Sequence, residues 1–189
     1  MAIPAFTSAG VLPPFLGSSP GILADQSPYH ATLTELVTRF GTTADRNRLL
    51  RGLISLRQAL HGHGIVEGFQ WIDGSFVEDK EMSLGKSPGD IDIVTVFRRP
   101  AGVQWSSIKG NLLLNLLDPG YCKSKFSCEA FYIDADAGPI EVALQSSFWF
   151  GLFSHQRTTY LWKGAVALQL NPVLGDDQNA GAELDRRGF

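Results

Sequence analysis

Cysteine is scarce in this chain of 189 residues: Cys122 and Cys128 are the only two. That usage excludes a disulfide scaffold and matches a reducing compartment, and without a paired CxxC there is no zinc-finger spacing. An excess of one charge is lacking too. Sixteen Lys and Arg stand against nineteen Asp and Glu, for a net charge of -3. Such a balance exerts no general attraction on phosphate backbones or anionic membranes, so contact with nucleic acid has to be local. No uninterrupted apolar stretch approaches the ~20 residues of a membrane span. Residues 1–16 have no basic region ahead of their apolar positions and are broken by Pro4, Pro13 and Pro14, unlike a signal peptide. The expectation is a cytoplasmic protein with no membrane partner.

What is present suits a globular domain: 44% hydrophobic and 19% charged residues, in a length that buries roughly 70% of its unfolded surface. Pro4, Pro13, Pro14, Pro20 and Pro28 block regular ladders near the N-terminus. Residues 1–30 are therefore expected to be an arm, packed through Ile3, Phe6, Val11, Leu12 and Phe15 on a domain spanning 31–170. Residues 171–189, rich in Gly, Asp and Asn, read as a loose, flexible tail.

Within the domain, apolar residues at three- and four-residue steps predict helices over 32–40 and 44–61, the second capped by Thr42 or Thr43 and ended by Gly62 and Gly64. Residues 68–72 read as a strand stopped at Asp73-Gly74. The β-branched run 90–97 reads as a strand buried on both faces, 105–117 as a helix stopped by Asp118-Pro119-Gly120, and 127–133 as another strand. Residues 139–153 fit either period, with helix favoured. Residues 159–170 suit a short strand or a final helix. The fold class expected is α+β, a mixed β-sheet flanked by helices.

Chemistry concentrates in 71–96. Residues two apart in a strand share a face, so Asp90 and Asp92 hold two like charges side by side at the start of theirs. Such a pair is costly unless a cation neutralises it or one carboxylate protonates, and hard oxygen ligands with room for water and phosphate suit Mg²⁺. Gly74-Ser75, ending the previous strand, allows backbone N–H groups and the Ser75 hydroxyl to approach phosphate oxygens. A helical crossover between the strands over 90–97 and 127–133 makes them parallel, which brings Glu129 near Asp90 and Asp92. Asp134 and Asp136, at the far end of that strand, are weaker candidates.

A Gly-Ser turn, a later Asp-x-Asp strand and a third carboxylate on a following strand resemble the nucleotidyltransferase superfamily of the DNA polymerase β type. More narrowly, Ile3-Pro-Ala-Phe6, Val11-Leu-Pro-Pro14, His30-Ala-Thr-Leu33, Trp71-Ile-Asp-Gly-Ser-Phe-Val77, Lys80 and Lys163-Gly164 look like a family of small bacterial proteins in that superfamily. The resemblance implies a nucleotidyltransferase-like sheet and two Mg²⁺ ions held by Asp90 and Asp92. Glu129 would bind the nucleophile-side metal or take the proton, and Gly74, Ser75, Lys80 and Lys163 would contact a nucleoside triphosphate. The implied reaction moves an NMP from an NTP to a hydroxyl of a protein, an RNA end or a small molecule. Fourteen residues separate Ser75 from Asp90, slightly more than is usual there, and Phe76 follows the Gly-Ser pair where many small toxin-system members have Ala-Arg. The alternative is a catalytically weak or inactive member of the fold serving as an antitoxin-like or regulatory partner in a toxin–antitoxin or defence setting.

Other polar clusters have plainer explanations. His61 and His63 suit a helix end, and Arg46, Arg48 and Arg51 suit a solvated helix face. His155 and Arg157 lie in a loop near Lys163, where surface positions suffice to explain them, and the aromatics around Trp149 suit a core.

Overall fold

The computed structural model describes residues 3–103, 113–171 and 175–188. Five strands form one sheet in the order β1-β5-β2-β3-β4. They are β1 Tyr29–Ala31, β2 Gly68–Asp73, β3 Ile91–Phe97, β4 Cys128–Asp134 and β5 Val166–Gln169. β2 is antiparallel to both its neighbours, β3 and β5, whereas β1 pairs in parallel with β5 and β4 in parallel with β3. The architecture is thus α+β, a mixed sheet flanked by helices.

Local chemistry accounts for the first helices. Thr32 and Glu35 form a reciprocal capping box at the start of α1, Leu33–Phe40, and the Thr43 hydroxyl accepts from the Arg46 N–H at the start of α2, Ala44–Gly62. Both helices bury an apolar stripe, with Leu33, Leu36, Phe40, Leu49 and Leu53 in a core that continues through Ile72, Ile93 and Ala130 of the sheet. A second, smaller core lies on the opposite face. There Val94, Val96 and Ile133 meet Phe153 and Trp149 of a long helix, Pro139–Phe153, and Phe131 packs on Trp149 with ring centroids 4.3 Å apart.

The remaining helices are short α3, Lys80–Leu84; α4, Leu113–Leu116; α5, Pro119–Phe126; α6, the Pro139–Phe153 helix; and α7, Asp176–Arg187. Two of them depart from the sequence expectation. Most of the helix expected over 105–117 falls outside the described residues; α4 ends at Leu116, before Asp118-Pro119-Gly120, where the stop is expected, but a further helix that the sequence reading does not contain begins there. Asp118 is an N-cap, accepting from the Gly120 N–H at 2.8 Å, and Pro119 is the first residue of α5.

The expected loose tail is likewise a helix. Its Asp176 carboxylate accepts from the Leu33 N–H at 2.5 Å and the Thr34 N–H at 3.1 Å, so α7 supplies the cap for the start of α1. Asp177 pairs with the buried Arg57 guanidinium at 3.0 Å, and Arg57 also donates to Gln70 Oε1 at 2.8 Å and to the Gln169 carbonyl at 2.9 Å. Polar bonds at long sequence range, with Ala180 and Leu184 buried, hold a segment of weak apolar pattern.

Residues 159–170 resolve into a bridge between His155 and Trp162, then the strand β5. The N-terminal arm lies on the domain, with Ile3, Val11 and Leu12 buried and the Gly164 N–H donating to the Leu12 carbonyl at 2.9 Å. A Cβ on Gly164 would stand 2.4 Å from the Pro13 carbonyl oxygen, so only glycine admits the arm this closely. Among the described residues no helix is long and apolar enough to cross a membrane.

Candidate functional site

Strand register builds the centre of the site. Asp73 is paired with Asp92 across β2 and β3, and Asp92 with Glu129 across β3 and β4. Directly paired residues point to the same face, so three carboxylates form one row across three strands. Trp71, Val94 and Phe131 are the next row on that face and lie in the smaller core. Asp90 immediately precedes β3, two residues from Asp92. Asp90, Asp92 and Glu129 therefore share one edge of the sheet, as the parallel crossover requires.

The turn after β2 closes over this row. Gly74 has φ +73°, and a short 3-10 turn, Gly74–Val77, buries Phe76 and Val77 and leaves Ser75 partly exposed. Lys80, at the start of α3, donates to Ser75 Oγ at 3.2 Å. Buried Arg46 fixes the turn from behind. It donates to the Phe76 and Glu78 carbonyls at 2.7 Å each and grips Glu81 with two nitrogens, holding that carboxyl below its usual range. Arg46 is thus no part of a solvated face: the helical spacing of the three arginines is real, but this one points inward to carbonyls the turn leaves free.

Lys163 lies beneath the turn, fully buried. Its Nζ donates to the Gly74 carbonyl at 3.0 Å and to Glu78 Oε1 at 3.0 Å, and lies 3.2 Å from Asp73 Oδ1. Gln156, from the loop after α6, donates to the other Glu78 oxygen at 2.9 Å and ties that loop in. Burial pushes the Asp73 carboxyl up to about 7, against the opposing pull of Lys163. Lys163 is therefore spent on the underside of the turn, where it aims the Gly74 peptide rather than facing solvent.

Asp92 is pushed up to about 6, first by burial and then by the carboxylates of Asp90 and Glu129, with Lys163 and Arg157 pulling the other way. Asp90 and Glu129 share a cation that the sequence did not suggest. Lys123 Nζ, on α5, lies 2.6 Å from Asp90 Oδ2 and 3.1 Å from Glu129 Oε2, and those bonds raise its own pKa. Lys123 escapes the sequence reading, in which Asp118-Pro119-Gly120 ends a helix and 121–126 carry no element; the signal available is Asp118-Pro119, a cap followed by a first-turn proline.

Asp134 and Asp136 are absent from the cluster. At the opposite end of β4 they hold Arg99 at 2.6 Å and Arg98 at 3.4 Å. His61 also lies elsewhere, its Nε2 2.7 Å from the Leu170 carbonyl oxygen.

The donor set tests well for a hard cation: carboxylates only, one of them, Asp92, destabilised in its charged form by two neighbours of like charge. No three His, Cys, Asp or Glu side chains among the described residues are already gathered as a metal cage. The ammonium of Lys123 instead supplies the positive charge between Asp90 and Glu129. The Lys123 side chain is half exposed, and its bonds to Asp90 and Glu129 are the ones a divalent ion would have to displace.

Comparison with curated proteins and with solved structures gives no match. A family model does match, over residues 4–169, which takes in the arm, all five strands and every carboxylate of the acidic edge. The chain belongs to that family, a family of unknown function (DUF6932).

Proposed function

We propose that this chain is a Mg²⁺-dependent nucleotidyltransferase with a nucleotidyltransferase-like fold. It transfers an NMP from a nucleoside triphosphate to a hydroxyl of a protein, an RNA end or a small molecule. The reading is carried by the pairing of Asp92 with Glu129, with Asp90 two residues upstream and the Gly74-Ser75 turn on the neighbouring strand. Acids that must act together arrive on one sheet edge from two separate stretches of chain, and the Gly-Ser turn from a third.

Asp90, Asp92 and Glu129 would hold Mg²⁺, which supplies charge neutralisation at the triphosphate and lowers the pKa of the attacking hydroxyl. The Ser75 hydroxyl and Lys80 bind the terminal phosphates, and the Gly74 peptide, held by Lys163, lets them approach closely. The acceptor oxygen bonds to the α-phosphorus as the bond to the bridging oxygen breaks. Pyrophosphate leaves, and the proton passes to Glu129 or Asp92.

A second reading is favoured by Lys123. An acidic pair already neutralised by a lysine suits a catalytically weak member of the fold that works as an antitoxin-like or regulatory partner.

Calorimetry of each NTP, with Mg²⁺ and with EDTA, on the parent and an Asp90→Asn, Asp92→Asn double variant separates the two. Metal-dependent binding lost in the variant is expected. Absence of binding to every NTP would overturn the enzymatic reading and leave the regulatory one.

A further inference from the structure

Between α6 and β5 the chain doubles back in a hairpin. The Lys163 N–H donates to the Ser154 carbonyl at 2.8 Å, the Gln156 N–H to the Leu161 carbonyl at 2.8 Å and the Tyr160 N–H to the Gln156 carbonyl at 2.9 Å. His155 and Trp162 form an antiparallel bridge, and the Trp162 ring packs on Phe15 of the arm with centroids 5.7 Å apart. The turn is tight enough that Tyr160 has φ +57°. Residues 157–160, at the tip, are exposed.

Strand order fixes the side of the site on which this hairpin stands. Val166, the first residue of β5, pairs with Ile72, one residue before Asp73, so the chain leading into β5 passes the end of β2. At the foot of the hairpin Lys163 bonds to the Gly74 carbonyl, and Lys163 and Gln156 hold the two oxygens of Glu78. The hairpin therefore flanks the Gly74-Ser75 turn from the β5 side. Glu129 and Lys123 lie on the other side of Asp92, toward β4.

Arg157 follows Gln156 directly. Every other cation discussed at this edge has a partner in the protein. Lys163 is spent on Gly74, Glu78 and Asp73, Lys80 on Ser75, Lys123 on Asp90 and Glu129, and Arg46 on Glu81. Arg157 makes no hydrogen bond or ion pair among the described residues. It nevertheless lies near enough to Asp92 to favour the charged form of that carboxylate.

We propose that Arg157 is a substrate-binding residue, whose guanidinium holds the β- or γ-phosphate of the nucleoside triphosphate on the β5 side of the Gly74-Ser75 turn. The inference rests on the nucleotidyltransferase reading and names a contact that reading lacks. A triphosphate brings further negative charge to an edge where Asp90, Asp92 and Glu129 already concentrate it. A planar guanidinium with its donors uncommitted meets phosphate oxygens in bidentate fashion. The acceptor hydroxyl carries no charge to attract it, and belongs beside Glu129, across β3 from the hairpin.

The test is calorimetry on the full chain with Mg²⁺, using whichever of ATP, CTP, GTP and UTP binds most tightly and the matching NMP. The proteins are the parent, Arg157→Gln, Arg157→Lys and Arg98→Gln. Arg157 is exposed and unpartnered, so its variants should keep the parental Tm. Arg98→Gln removes the same charge at the far end of β3, where Arg98 pairs with Asp136. Arg157→Gln is expected to weaken NTP binding ~10-fold or more while NMP binding holds, Arg157→Lys to recover part of the loss, and Arg98→Gln to bind as the parent does. Parental NTP affinity in Arg157→Gln overturns the inference alone, as does an equal loss for NTP and NMP or an equal loss in Arg98→Gln. A parent that binds no NTP overturns the nucleotidyltransferase reading and this inference with it.

Discussion

Gly74 lies so close to Asp92 that a Cβ on Gly74 would stand 1.6 Å from the carboxylate Oδ2. The turn expected to receive phosphate and the acid expected to hold metal are thus in van der Waals contact, and the φ of +73° adds a second reason for glycine. Gly74→Ala should cost about 1–2 kcal/mol in backbone strain and displace Asp92. The expected outcome is a folded protein by circular dichroism whose Mg²⁺-dependent NTP binding, by calorimetry, is gone. Binding at parental affinity would break the link between turn and acid.

Asp92→Asn should make the metal-free protein more stable at pH 7.5. The folded carboxyl titrates near 6, well above an unfolded aspartate. The native state therefore binds the extra proton between about pH 4 and 6, and the penalty for its charge grows as pH rises through that window and is complete above it. Removing the charge recovers ~1–3 kcal/mol at pH 7.5 and nothing at pH 3.5. Thermal melts at both pH values check this, and Mg²⁺ should raise Tm for the parent only.

Lys163→Met should destabilise the fold by ~3–5 kcal/mol, because it leaves Asp73 and Glu78 without their shared buried cation. Asp73 titrates near 7 with the lysine present. Protonation of the acid relieves the loss, so the deficit should be smaller at pH 5.5 than at pH 8 in urea titrations. A deficit that grows on acidification would contradict the assignment.

Lys123→Met removes the ammonium shared by Asp90 and Glu129. Mg²⁺ or Mn²⁺ alone, titrated calorimetrically, should then bind ~10-fold more tightly, equivalent to about 1.4 kcal/mol. Unchanged affinity would mean that the lysine does not compete for the metal position.

Arg57→Met, remote from the acidic edge, serves as the contrast. It takes the guanidinium at 3.0 Å from buried Asp177, leaving it His61 Nδ1 at 3.8 Å, and should cost ~3–5 kcal/mol while leaving NTP affinity in the folded fraction as it was. Fluorescence-monitored urea unfolding and calorimetry together read both.

Much of the site was legible in the chain because its logic is short-range. The two-residue step from Asp90 to Asp92 and the glycine at the end of β2 are local facts, and the parallel crossover places Glu129 by topology alone. Lys123 was illegible for a definite reason: the proline that suggested a stop is, one residue after a capping aspartate, also the best start for a helix. Arg46 misled because helical spacing says which residues share a face but not which of them finds carbonyls to bond.

The amino-acid sequence by itself determined the strands around the acids, the capped helices α1 and α2, and the three carboxylates that meet, since each depends on period, caps or the handedness of a crossover. Only the tertiary structure decided that α7 is ordered, that Lys163 and Arg46 brace the turn from below, and that Lys123 neutralises the acidic edge. These rest on charge-assisted bonds between residues dozens of positions apart or on a helix whose start was ambiguous. Such bonds leave no periodic trace, because a lone lysine or arginine has the same pattern whether it faces water or a buried carboxylate.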